Sequence, residues 1–427
     1  MILFMHINLF KSLFLAAASL TLLVSCNGSK GDDPEPVPET DGFISIAVDS
    51  KTNYKVIYEE GLKSTAEAFS STLNSWTGAT FNAAKASDTS ESTYEIIVGS
   101  KGRSAIEKAL QNISYGYSVQ LSGKQLVIAG TDKNWTILAL EAFGESVLKN
   151  ADYCKDGALK LPEEWEGMKT SVKDPQMIGY LLNKNRKFTV NATLAGTCPQ
   201  KGVYKVAQGA ASDGEYVYFV MKGNEVNYNS QCVVYKYTLK PFKYVAVSEE
   251  FNGHHANDMT FDTKNKRALV VNGSGASGTL TAIDANTLAI STITTSLGIG
   301  GMTYNPSLNI YGITQGGTKY QTADENFKMV KNFGRSDNTG YTAQGMGSDD
   351  YYVYFPMSPN SGSSNRSVNI LVAYDWNGKY KGTIDVPLSM ESESMFYAAG
   401  EYYVNFYSSG AQLYKISPVI TYIPTAK

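Results

Sequence analysis

Three histidines and four cysteines are all that 427 residues offer as soft metal ligands or thiols. Three of the cysteines, Cys154, Cys198 and Cys232, are an odd set without metal-type spacing. They read as buried small hydrophobes, with room for one disulfide in an oxidising compartment. Basic charge is also missing. The formal net charge is −3, so there is no positive field to hold nucleic acid, and no nucleic-acid partner is expected. No GxSxG motif occurs, and no Gly-rich phosphate loop follows a strand and opens a helix. "GSGASG" at 273–278 reads as a loop between strands, and no cofactor is expected. What the chain has in quantity is Tyr (29) and Gly (38), the composition of β-rich structure with many tight turns.

The apolar N-terminal stretch "LFLAAASLTLLVSC" follows Lys11 and ends at Cys26. It is too short, and too soon followed by polar residues, for a stable membrane span. Leu23-Val24-Ser25-Cys26 resembles the lipobox of bacterial lipoproteins. The resemblance implies that residues 1–25 are a signal peptide and that Cys26 is the site of lipid attachment. Two or three acyl chains hold a protein firmly to a bilayer, since each buried methylene adds about 0.8 kcal/mol. A plain secretory signal with a chance cysteine is the alternative. Residues 26–42, "CNGSKGDDPEPVPETDG", are Pro-rich and acidic, and read as a disordered tether reaching roughly 50 Å at about 3 Å per residue. Asp32-Asp33 resembles the acidic surface-export signal of some Gram-negative lipoproteins. The expected location is the outer membrane, with the anchored chain facing the cell exterior and the membrane itself as a partner.

Residues 43–165 read as a domain of order ββαβαββα. "FISIAV" and "YKVIY" form a strand pair around "DSKTN". Leu62, Ala66, Phe69, Leu73 and Trp76 lay an apolar stripe along a helix that Gly78 ends. "YGYSVQLSGKQLVIAG" is a hairpin turning at Ser122-Gly123, and Thr131 or Asp132 caps a closing helix. The expectation is an α+β sandwich with helices on one face. With "EIIVGS", the hairpin and the closing helix, this order resembles the N-terminal accessory domain of β-N-acetylhexosaminidases and α-glucuronidases. That domain is not catalytic in those families. The resemblance implies a glycan-related setting and carries over no active-site residue. A generic α+β packing domain is the alternative.

From residue 175 to 427 the chain repeats. "QGAASDGEYVYFV", "NDMTFDTKNKRALVV", "GGMTYNPSLNIYGI", "QGMGSDDYYVYFP" and "ESMFYAAGEYYVNF" share a polar or Gly residue, then Met259, Met302, Met346 or Met395 (Ala210 in the first), then a turn and an alternating run. The anchors Gln208, Asn257, Gly300, Gln344 and Glu393 are 49, 43, 44 and 49 residues apart. Four strands in each such unit is the signature of a β-propeller, so the second half resembles a five-bladed one, an all-β fold. "MIGYLLN" (Met177 to Asn183) is the expected strand that completes the last blade. An all-β sandwich is the competing architecture.

In a propeller the innermost strands line a channel. Gln208, Asn257, Gln344 and Glu393 share one register and should converge on it, with Gly300 leaving a gap and the methionines packing between blades. His254 and His255 should lie at the mouth. Adjacent histidines on a strand point to opposite faces, so no metal site is expected. The expected ligand-binding set is Gln208, His255, Asn257, Gln344 and Glu393, whose donors and acceptors suit sugar hydroxyls. No catalytic residue is assigned. Glycoside hydrolysis needs two flanking carboxyls, and only Glu393 is acidic in this register. Asp258 should face away, and Glu391 and Asp213 are the others within reach of the rim. Tyr216, Tyr218, Tyr351, Tyr352, Tyr354, Tyr402 and Tyr403 suit sugar stacking, but alternate strand positions also pack a core. "SPNSGSSNRS" (358–367) reads as a long blade loop. The expected function is that of a non-catalytic cell-surface protein that binds or scaffolds glycans through the channel mouth. A glycoside hydrolase or lyase at the same mouth, and a propeller whose rim binds a protein partner, are the alternatives.

Overall fold

The computed structural model describes residues 42–226, 229–273, 277–315, 319–359 and 368–427. The signal segment, Cys26, the tether and most of the 358–367 loop lie outside the described residues.

The first half is built on a six-stranded sheet in the order Ala83–Lys85, Lys55–Tyr58, Glu95–Gly99, Gln125–Gly130, Tyr115–Ser122, Met168–Val172. Its first four strands are parallel and its last two antiparallel. Side chains alternate across it as strand geometry requires. Ile96, Val98, Leu126 and Ile128 pack into the core shared with Leu62, Phe69, Leu73, Leu140 and Phe143. Ile97, Val127 and Ala129 pack on the other side against Ala105, Ile106 and Ala109 of helix Ser104–Ala109. Helices therefore cover both faces, which corrects the expected one-sided α+β sandwich. Buried parallel strands need cover on both sides. A second correction concerns pairing. Phe43–Ala47 pairs with Ala158–Pro162 in a separate small sheet, not with Lys55–Tyr58. Helix Lys63–Thr77 ends at Gly78, and Asp132 caps helix Lys133–Phe143 by accepting from Trp135 N.

"MIGYLLN" is a helix, Met177–Asn183, rather than the closing strand. Its apolar residues serve two cores. Met177 and Leu181 enter the first-half core, while Ile178 packs against Tyr352 and Tyr402. The strand that joins the last sheet is Thr189–Pro199, paired along Gly410–Val419.

Among the described residues the second half forms five antiparallel sheets. Their innermost strands are Val206–Ser212, Asp258–Asp262, Gly301–Asn305, the short Gly347–Ser348 and Glu391–Ala398. Each touches the next, and the last touches the first, so the inner strands ring one axis in a β-propeller arrangement. The cores lie between neighbouring sheets. Met259 packs with Tyr218 and Phe261, Met302 with Leu269 and Tyr311, Met346 with Tyr320 and Phe355, and Met395 with Tyr354 and Val404. That is the expected place for the methionines. An Asp at the far end of an inner strand orders the following turn in several sheets. Asp213 accepts from Glu215 N, Tyr216 N and the Tyr218 hydroxyl. Asp349 accepts from Tyr351 N, Tyr352 N and the hydroxyls of Tyr354 and Tyr402. This is the structural use of much of the tyrosine. Tyr218, Tyr352, Tyr354, Tyr402 and Tyr403 are buried, Tyr216 is half-buried and Tyr351 is exposed.

Residues 420–427 leave the propeller and return to the first half. Ile420 and Tyr422 enter its core, and Trp76 Nε1 donates to Thr425 O at 3.1 Å. Arg186 pairs with Glu141 at 2.7 Å beside this tail. Cys154, Cys198 and Cys232 are buried and free, so they form no disulfide with one another.

Candidate functional site

Three of the five inner strands are irregular at the anchor position, while the second and third pair without a register shift. Ala207 pairs with Met221 and Gly209 with Val220, so Gln208 is an extra residue. Ser392 pairs with Phe406 and Ser394 with Asn405, which makes Glu393 extra in the same way. The fourth inner strand is interrupted between Ala343 and Gly347, at Gln344. Such β-bulges re-aim side chains. In those strands they shift the register expected from strict alternation; the second and third start just after their anchors, and the residues that meet at the axis are Gly209, Asp258, Gly301, Gly345 and Ser394.

Four of these five are Gly or Ser, and the fifth fills the space they leave. Asp258 is completely buried. Its Oδ1 accepts from Met259 N at 2.8 Å, and its Oδ2 accepts from Met302 N at 2.9 Å and Met346 N at 3.0 Å. One carboxyl thus ties the second, third and fourth sheets together at the axis. A Cβ on Gly345 would stand 2.7 Å from Asp258 Oδ1 and 2.2 Å from Glu393 O, and one on Gly301 3.2 Å from Asp258 Oδ2. Burial pushes the Asp258 carboxyl well above the usual range, against the three N–H donors. The expectation that Asp258 faces away is corrected: it is the axial residue.

Above this plug lies the mouth. Glu393 is only 5 % exposed, and no described residue hydrogen-bonds to its carboxyl. Burial first, then the charges of Glu391 and Asp258, push it well above the usual carboxylate range, while Lys222 opposes them. Glu391, exposed on the same strand, accepts from Gln344 Nε2 at 2.5 Å. Asn257 Nδ2 reaches across to Gly300 O at 2.5 Å. His255 Nδ1 stands 3.2 Å from Nζ of the buried Lys222. Gln208 is buried and donates to the neighbouring carbonyl of Ala207. Gln344 thus bonds Glu391, and His255 stands beside Lys222, the two residues whose charges act on Glu393. It gives Gln208 and Asn257 only backbone partners of their own.

The two histidines are not on a strand. The inner strand starts at Asp258, and "HHA" is a turn in which His254 and Ala256 take left-handed φ values of 53°. Asp213 turns away from the mouth to cap its own turn, which removes it from the rim candidates. Lys222 was not anticipated, because it lies on the second strand of its sheet, outside the repeated anchor. Among the described residues no group of three His, Cys, Asp or Glu side chains is placed to hold a metal ion.

No family model matches the chain, and no curated protein matches it. Among solved structures it is similar to Kuenenia stuttgartiensis hydrazine synthase, with 11 % identity and a TM-score of 0.30 over 48 % of this chain and 57 % of that one. The chain thus spans little more than half the length of that protein. It is also similar to the β-propeller domain of the Trilobed protease from Pyrococcus furiosus (13 %, TM-score 0.29, 51 % and 86 %). A third is a catalytically inactive virginiamycin B lyase from Staphylococcus aureus with quinupristin (12 %, TM-score 0.30, 56 % and 76 %). These likenesses are too remote to carry an activity or a ligand to this chain, and the propeller arrangement rests on its own sheets.

Proposed function

We propose that the five sheets are the blades of a closed five-bladed propeller whose mouth binds a glycan, on a lipoprotein held to the outer membrane through Cys26. The observation that carries the reading is Glu393. A carboxyl at a bulge, buried, with no hydrogen bond from any described residue and pushed toward its neutral form, can both donate and accept, as sugar hydroxyls require. The Gln344–Glu391 pair, Asn257 and the Lys222–His255 pair supply further donors and acceptors at the same end of the inner strands. The leader "LFLAAASLTLLVSC" supports the anchor, and the tether would let the mouth face outward.

A second reading has one observation in its favour. Burial pushes Glu393 well above the usual carboxylate range, and the exposed Glu391 stands two residues away on the same strand, so the mouth holds the two carboxyls that glycoside hydrolysis requires. That would make the mouth a glycoside hydrolase or lyase.

One pair of variants tests both on a glycan array and in a turnover assay. Glu393→Gln keeps a neutral donor and acceptor, so glycan binding should stay within a few-fold of wild type. Glu393→Ala should lose about tenfold or more, the worth of a hydrogen bond in a desolvated site. Binding with no turnover by wild type fits the binder. Turnover that Glu393→Gln abolishes while binding persists fits the enzyme. No glycan bound by wild type removes both.

A further inference from the structure

We propose that the opposite end of the propeller axis holds a second binding site, for a polyhydroxylated ligand of about one sugar ring that carries no negative charge. It does not rest on the reading of the mouth. Asp258, the first residue of inner strand Asp258–Asp262, separates the two along the axis.

A cavity of about 220 Å³ lies where the inner strands end. That is below the roughly 300–1,000 Å³ of pockets for larger ligands, which limits the occupant to about one ring. Its lining includes Phe261, Tyr304 and Phe396, each packed on a neighbouring ring (Tyr218, Tyr311 and Tyr403), together with Thr260 and with Asn305, whose amide is held by Asp349 O and Leu308 N. Aromatic faces meet C–H surfaces, and hydroxyls and amides meet hydroxyls, the two chemistries a sugar ring presents together. Thr260 is 8 % exposed and lines the cavity, and none of the hydrogen bonds among the described residues uses its hydroxyl. A hydroxyl on a cavity wall with no protein partner is free to donate to and accept from a ligand.

Charge narrows the class. Asp174, Asp349 and Asp350 line the cavity, and no Lys, Arg or His does. A carboxylate rim without a cation repels anions and favours neutral or cationic ligands. The rim is also held in shape. Gln176, in a left-handed conformation at φ +32°, donates to Asp350 Oδ2 and accepts from Asp350 N, both at 2.8 Å. The Tyr397 hydroxyl donates to Asp174. Asp174 and Asp350 remain exposed, so the entrance lies between them.

The test is a calorimetric titration of the intact protein with glucose, galactose, N-acetylglucosamine, glucosamine and glucuronate. At least one uncharged or amino sugar should saturate one site, and glucuronate should not. Thr260→Leu, which removes the hydroxyl and fills the wall, should weaken that binding at least tenfold. Asp350→Asn at the exposed entrance changes no core packing and should weaken glucosamine several-fold. Glu393→Ala, which disables the mouth, should leave this saturation in place. Three results would overturn the proposal: no saturation by any sugar, glucuronate binding as tightly as glucose, or binding lost with Glu393→Ala and kept with Thr260→Leu.

Discussion

Replacing Asp258 tests the axis itself. Asp258→Ala leaves the N–H groups of Met259, Met302 and Met346 without their acceptor. An orphaned buried donor costs about 1–3 kcal/mol, so the gross loss is about 3–9 kcal/mol. Two terms offset it. The buried carboxyl's own desolvation, several kcal/mol, disappears, and water can enter the vacated space to bond some of the donors. A net loss of about 3 kcal/mol remains. Asp258→Asn keeps one carbonyl oxygen, which can hold the Met302 and Met346 donors and abandon Met259, so its loss should be about 1–2 kcal/mol. For a domain of 150–250 residues, 1 kcal/mol moves Tm by about 2–4 °C. Calorimetry should therefore show the propeller transition about 6–12 °C lower in the Ala variant, with the Asn variant between it and wild type. An Ala variant within 2 °C of wild type would refute the idea that this carboxyl ties three sheets together. So would an Asn variant as unstable as the Ala variant.

Other substitutions probe separate parts. Burial holds the Asp349 carboxyl up to about 6 from its ordinary 3.8. Its folded-state value is the higher one, so its contribution to stability is complete below about pH 4 and is lost as pH rises toward 6. That is about 3 kcal/mol over roughly two pH units, and urea midpoints from pH 4 to 7 should flatten in Asp349→Asn. Gly345→Ala drives a Cβ to 2.2 Å from the backbone oxygen of Glu393 and should cost about 1–3 kcal/mol or more in thermal unfolding. Gly301→Ala first meets the Thr314 methyl at 2.9 Å and should cost less. Tyr422→Ala removes a ring packed 6.1 Å from Phe69 and should destabilise the first half by about 3–5 kcal/mol, read as a separate calorimetric transition.

The repeat was legible because its marks are local. A methionine recurs in four of the five units, with Ala210 in its place in the first, and each anchor is followed by a turn and an alternating run. The axial register was not, since a bulge adds a residue without changing composition. Its trace was the small residue after each anchor, Gly209, Gly301, Gly345 and Ser394, with Asp258 as the exception that fills the space. Strict alternation through Asn257 sent Asp258 the wrong way because the strand starts only at Asp258, after the turn that holds the two histidines. Short apolar runs hid two more features. Met177–Asn183 fits a strand or a helix equally well by periodicity, and burial against two cores decided it. Phe43–Ala47 found its partner more than a hundred residues away, which no local pattern records. Lys222 belongs to the mouth only because the first sheet folds beside the fifth.

The most direct measurement is an experimental structure of the protein with a bound oligosaccharide taken from the array. A sugar hydroxyl should lie within hydrogen-bonding distance of the Glu393 carboxyl, with Gln344 or Lys222 on the same sugar and five sheets closed around Asp258. A sugar bound elsewhere with the mouth empty, or inner strands that do not converge on Asp258, would contradict the account.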